Sequence, residues 1–117
     1  MKNSVSFPRR GEVWLVNFNP GRGSEQKGIR PALVTQNDIG NEYGSTTIVA
    51  AITSTIKPYP VTVLLTKGLA GLDKDSMINF AQLLTIDKTR LVKRLGELGT
   101  AQLAQINQAL KTSLSLE

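Results

Sequence analysis

Two spots in this sequence carry side chains suited to chemistry on a phosphate: Arg30, set directly before Pro31, and the hydroxyl cluster Thr53, Ser54 and Thr55. Arginine supplies a permanent, forked cation, and threonine a hydroxyl that can donate and accept. Arg30 precedes a strand-like run over residues 32–36, and Thr53 closes the next one, Thr46–Thr53. In an antiparallel pair the start of one strand lies beside the end of the next, so these groups can converge on one rim of a sheet. A cation and a hydroxyl placed there could stabilise charge developing on phosphorus during an attack within RNA. Arg30 taken alone also reads as a charged strand end.

Composition narrows the alternatives. The chain has no histidine and no cysteine, which removes the commonest general base, the commonest zinc ligand, thiolate nucleophiles and disulfides. Any catalysis runs on carboxylates, hydroxyls, lysine, arginine or the backbone. Its 117 residues suit a single domain, residues 9–117, after a frayed N-terminal extension over 1–8. A formal charge of +5 fits a polyanionic or acidic partner and equally fits simple solubility. The N-terminus has no apolar core of signal-peptide length and no stretch is long enough to span a bilayer, so a soluble, cytoplasmic protein is expected.

The elements that must position Arg30 and Thr53 follow from hydrophobic patterning. Residues 12–18, rich in β-branched and aromatic side chains, predict a first strand. A loop from Asn19 to Pro31 follows, in which glycines and flanking prolines oppose helix and central strand while Arg22, Ser24, Gln26, Lys27 and Arg30 are gathered. Residues 37–45 read as a turn-rich connection, 61–65 as a fourth strand, 76–80 as a half-buried fifth strand with Gln82 just beyond it, and 91–95 as a short further strand. Residues 87–90 could form one helical turn. From Thr100, a possible cap, Leu103, Ile106, Leu110 and Leu114 recur at helical spacing and predict a terminal helix packed on the sheet. A bent antiparallel sheet or partly open barrel with one helix results.

Other motifs carry less. No phosphate-binding glycine signature stands in a strand-to-helix setting. Asp73 and Asp75 lie in a glycine-rich turn around Lys74 and read as solvated turn residues, so no metal site and no cofactor is expected.

The stretches Arg10-Gly11-Glu12-Val13-Trp14, Gly23-Ser24-Glu25-Gln26-Lys27-Gly28-Ile29-Arg30-Pro31, Gln36-Asn37-Asp38 and Val49-Ala50-Ala51-Ile52-Thr53 closely resemble the MazF/PemK toxins of bacterial toxin–antitoxin pairs. Asp75-Ser76 and the run from Thr85 to Leu91 extend the likeness. The resemblance implies an SH3-like small barrel of the plasmid-toxin type, with five to seven short antiparallel strands and a C-terminal helix. It implies a homodimeric, metal-independent endoribonuclease that cuts short single-stranded RNA words by attack of the 2′-hydroxyl, leaving a 2′,3′-cyclic phosphate and a 5′-hydroxyl. The family's catalytic arginine and threonine fall on Arg30 and Thr53. Ser24, Gln26, Lys27, Ser54, Lys57 and Gln82 become candidates for RNA binding, and an acidic antitoxin becomes the expected partner. Two rivals remain: a gyrase-poisoning toxin of the CcdB type on the same fold, and a non-catalytic single-stranded RNA-binding module. The only tryptophan is Trp14 and the chain ends Leu114-Ser115-Leu116-Glu117, unlike the tryptophan-containing tail of the CcdB type.

Overall fold

The computed structural model describes residues 7–20 and 27–116. Six strands, β1 (Glu12–Asn17), β2 (Ile29–Val34), β3 (Thr46–Thr53), β4 (Thr62–Leu65), β5 (Ser76–Asp87) and β6 (Leu91–Glu97), form one antiparallel sheet in the order β4-β5-β3-β2-β1-β6. The sheet curls into a half-barrel with β4 and β6 as its edges. Two helices complete it, α1 (Asp38–Tyr43) between β2 and β3, and α2 (Thr100–Leu114) at the end.

Strand alternation sorts the side chains into two packed faces. Val13, Leu33, Ala50, Ile52, Ile78 and Phe80 meet Ile106 and Ala109 of α2 in one cluster. Val16, Ala32, Val34, Val49 and Ile86 fill a second cluster with Phe18, flanked by half-buried Trp14, Leu84 and Leu91. Both rows of β1, β2 and β3 are therefore apolar, each large buried side chain contributing about 1.5–3 kcal/mol. Helix α2 buries only Ile106 and Ala109; Leu103 and Leu110 pack at the margin, and Leu114 is exposed despite its spacing.

Several expectations are corrected. Strand β2 starts at Ile29 and runs through Pro31, which sits in a central strand. The hydrogen-bond phase explains the tolerance. Phe18 N–H donates to Gly28 C=O, so Arg30 opposite Val16 is a bonded pair of the β1/β2 ladder and Pro31 opposite Leu15 is not. The nitrogen of Pro31 faces β3 instead, where the ladder stops at Ala32 opposite Ala51. The missing donor ends the β2/β3 pairing at that residue and frees the two strand ends beyond it.

The segment read as a turn-rich connection contains α1. Asn37 caps it through its side chain, which accepts from Gly40 N at 2.8 Å. The helix is fastened by fully buried Asn41, whose Oδ1 accepts from Thr47 Oγ1 at 2.6 Å and Gln36 Nε2 at 3.1 Å, while its Nδ2 donates to Gln36 C=O at 2.9 Å. The fifth strand continues past Phe80 to Asp87. Its pairing jumps, Ala51 facing Asn79 but Ala50 facing Leu83, so residues 80–82 are looped out of the β3 ladder. Gln82 thus lies within the strand, at this irregularity. Thr100 does not cap α2; Gly99 occupies that position, and Gln102 Oε1 accepts from its N–H at 3.1 Å. At the other end Pro8 is buried and the Arg9 guanidinium lies over the Phe7 ring.

Candidate active site

The long loop between β1 and β2 is closed at its base by its own polar residues. Asn19 Oδ1 accepts from Gly28 N at 2.9 Å, Asn17 Oδ1 from Asn19 N at 3.0 Å, and Arg90 donates to the carbonyls of Asn17 and Asn19. Gly28 holds a φ of +75° with open space where a side chain would stand, so glycine is needed there for the backbone turn. Two residues later Arg30 is exposed, and its Nε donates to Lys27 C=O at 2.9 Å. That one bond steers the guanidinium and leaves the four N–H groups of its two terminal nitrogens without another partner among the described residues, a fork suited to a phosphate.

Side-chain alternation puts Arg30 on the same face as Ala32 and Val34, and Thr53 on the same face as Val49 and Ala51. Continued two residues beyond the end of the ladder, the β2/β3 register sets Arg30 opposite Thr53. Thr53 is half-buried, and its Oγ1 accepts from Thr55 N at 3.0 Å, which keeps the hydroxyl proton available for a ligand.

Beside Thr53 opens a cleft of about 290 Å³ lined by Ala51, Thr53, Thr55, Lys57, Tyr59, Met77, Asn79 and Gln82. Of the residues singled out in the sequence, Thr53, Thr55, Lys57 and Gln82 meet here. Arg30 and Lys27 are not in its lining and stand with the β2 end of the rim. Ser54 is exposed and is not part of the lining, whereas its neighbour Thr55 is. Ser24, Gln26 and Arg22 lie outside the described residues. Tyr59 and Asn79 escaped the sequence reading, although Asn79 alternates with Met77 on β5 opposite Ala51 and Thr53, a pattern that aims it at the same face.

A larger cleft, about 690 Å³, lies on the β1/β6 side between Phe7, Pro8, Trp14, Leu91 and the Glu12–Arg94 pair. Its chemistry is already committed to structure. Glu12 Oε1 accepts from Arg9 N and Trp14 Nε1, both at 2.9 Å, and Oε2 from Arg94 Nε at 2.8 Å. Burial pushes the Glu12 carboxyl up, but the hydrogen bonds from Arg9, Trp14 and Arg94, with the charge of Arg94, hold it below its ordinary value. A carboxyl whose folded value is depressed adds stability above its unfolded value near 4.5, and that stability is lost as pH falls through the folded value. Glu12→Gln is therefore expected to destabilise the fold by about 1–2 kcal/mol at pH 7. The gap from wild type should shrink below about pH 4.5, as urea midpoints at pH 7 and pH 3 will show.

Comparison with known proteins settles the lineage. The family model of the PemK-like, MazF-like toxin of type II toxin–antitoxin systems matches residues 9–114. This chain belongs to that family. An Endoribonuclease MazF of Staphylococcus saprophyticus is 46% identical to it over 110 residues, 92% of each chain. Among solved structures, MazF from Deinococcus radiodurans superposes with a TM-score of 0.81 at 27% identity, covering 96% of this toxin and all of that chain. A mycobacterial endoribonuclease in complex with its cognate antitoxin does so with a TM-score of 0.80 at 25% identity, covering 94% of this toxin and 97% of that chain. The MazF/PemK membership sets aside the gyrase-poisoning reading. Among the described residues no helix of the toxin is long and apolar enough to cross a membrane.

Proposed function

We propose that this endoribonuclease toxin of a toxin–antitoxin system cuts single-stranded RNA without a metal, by transesterification at the rim where Arg30 and Thr53 face each other. The observations that carry the reading are the Arg30 guanidinium, steered by Lys27 C=O and otherwise uncommitted among the described residues, and a Thr53 hydroxyl that retains its proton, each two residues beyond the last pair of the β2/β3 ladder and on the same face of the sheet. The ribose 2′-oxygen attacks the adjacent phosphorus and loses its proton, the bond to the 5′-oxygen breaks, and that oxygen takes up a proton. A 2′,3′-cyclic phosphate and a 5′-hydroxyl result. Arg30 stabilises the charge on the phosphoryl oxygens, since a guanidinium that stays protonated is a poor base. Thr53 donates to a phosphoryl oxygen or orients the 2′-hydroxyl. The nucleophile is internal to the substrate, so the step needs no metal-activated water.

Incubating the purified protein with long mixed-sequence RNA in chelator, then mapping the new ends, tests the reading. Cyclic phosphate ends at a recurrent short word are expected. Intact RNA that is nonetheless bound would leave only the binding module.

The same reading makes the toxin a cytoplasmic homodimer held in check by an acidic antitoxin segment that competes with RNA for the basic rim. Its charge of +5 supports such a partner through complementary potentials. Lys27 is exposed beside Arg30 and Lys57 lines the Thr53 cleft. Lys27→Glu and Lys57→Glu are expected to weaken both RNA and antitoxin binding. Each should also lower the salt slope of RNA affinity, which runs at about −0.7 per neutralised phosphate for single strands. Anisotropy titrations at several salt concentrations check this; unchanged affinity for both ligands would exclude a shared groove.

A further inference from the structure

From the cleft beside Thr53 we infer a nucleobase subsite in which Asn79, oriented by Tyr59 and the backbone of Ala81, selects bases that present a keto oxygen. This inference deepens the reading of that rim as an RNA-cutting site and rests on it. The cleft has an apolar floor of buried Ala51 and Met77 and an aromatic wall, Tyr59. Its volume of about 290 Å³ lies at the lower bound of small-molecule pockets and is ample for one base. Apolar side chains beside an aromatic ring are the usual cradle of an unstacked base in single-stranded RNA.

The polar edge is fixed by hydrogen bonding. Asn79 Oδ1 accepts from Ala81 N at 3.0 Å and from Tyr59 Oη at 3.0 Å. A backbone N–H can only donate, so it forces the amide oxygen toward Ala81 and removes the ambiguity of the side-chain amide. The Tyr59 hydroxyl spends its proton on the same oxygen. What Asn79 retains is its NH₂ group, which can only donate. The Lys57 ammonium, also only a donor, stands in the same lining. Thr53, Thr55 and Gln82 in the same lining can accept as well as donate, so the selection rests on the Asn79 amide: its donor-only edge favours the O4 edge of uracil or the O6 edge of guanine, and disfavours the amino group at the corresponding position of cytosine or adenine.

The test uses all-deoxy oligonucleotides built on the mapped word or, if nothing is cut, on the tightest-binding word selected from a random single-stranded pool, with uracil, cytosine, guanine or 2-aminopurine at each of the two positions flanking the cut or the centre of the selected word. Binding is read by anisotropy and cleavage by matched oligonucleotides with a single ribonucleotide at the cut. At one flanking position wild type is expected to favour uracil over cytosine, or guanine over 2-aminopurine, by about tenfold. Asn79→Asp, which replaces the donor by an acceptor, should abolish or invert that ratio at that position alone. Tyr59→Phe, which keeps the wall and releases the amide, should relax it several-fold. Base ratios that stay unchanged at both positions in both variants would overturn the assignment, as would a wild type indifferent to the base at both. Binding reports on the subsite even when nothing is cut, so loss of the ribonuclease reading and loss of this one are separate outcomes.

Discussion

Arg30→Ala and Thr53→Ala are each expected to fold as the wild type does and to lose on the order of 10²–10³ in cleavage rate. Neither side chain supports the core: among the described residues Arg30 is exposed with one bond, to Lys27 C=O, and Thr53 ends β3 with one bond, from Thr55 N. Truncation therefore removes a cation or a hydroxyl from the rim without opening a cavity. Arg30→Lys should fall between wild type and alanine, since it restores the charge but not the two-pronged geometry. Thr53→Ser, which restores the hydroxyl, should retain most of the rate. Single-turnover cleavage of a defined oligonucleotide, with circular dichroism as the folding control, measures both. Wild-type rates in the two alanine variants would remove Arg30 and Thr53 from the mechanism.

The largest effect on stability is expected at Gly71. It holds a φ of +78°, and a Cβ there would stand 2.3 Å from Leu95 O and 2.9 Å from Leu95 C, backbone atoms of β6 that cannot turn aside. Gly71→Ala combines left-handed strain with a collision and should cost about 3 kcal/mol or more. That is a large share of the roughly 5–15 kcal/mol that holds an ordinary domain together. Gly68 is the control, because its φ of +98° is equally left-handed but nothing lies within 4 Å of its missing side chain. Gly68→Ala should cost only about 1–2 kcal/mol. Equal losses in urea denaturation would show that the contact with Leu95 is not limiting.

The parts of the fold legible in the sequence are those where local pattern and tertiary environment agree. The apolar run Thr46–Thr53 is a central strand buried on both faces, and the closing strand and terminal helix form where the sequence predicts them, at Leu91–Glu97 and Thr100–Leu114. Where the two disagree the sequence misleads. Pro31 spoke against a strand because its tolerance depends on which neighbour its nitrogen faces, a fact of register. Ala81 and Gln82 interrupt the alternation of β5 because residues 80–82 are looped out of the ladder, and the strand resumes beyond them. Asn37 offered a turn signal, but its side chain caps a short helix that a buried asparagine then holds in place. At the site, residue types and strand ends brought Arg30 and Thr53 to one rim. Asn79 and Tyr59 stayed hidden, since a polar residue in a half-buried strand and a tyrosine between prolines look like surface until the cleft is seen.

Pro31 also guards against a misfolded alternative. A slip of β2 by one residue along β1 would turn the proline nitrogen toward a β1 carbonyl and leave that carbonyl without a donor, a loss of about 1 kcal/mol. The same slip would carry Arg30 to the α2 side of the sheet while Thr53 stayed where it is. The residue that interrupts the ladder is thus also a check on alignment during folding: a chain that pairs wrongly loses its rim and a hydrogen bond together.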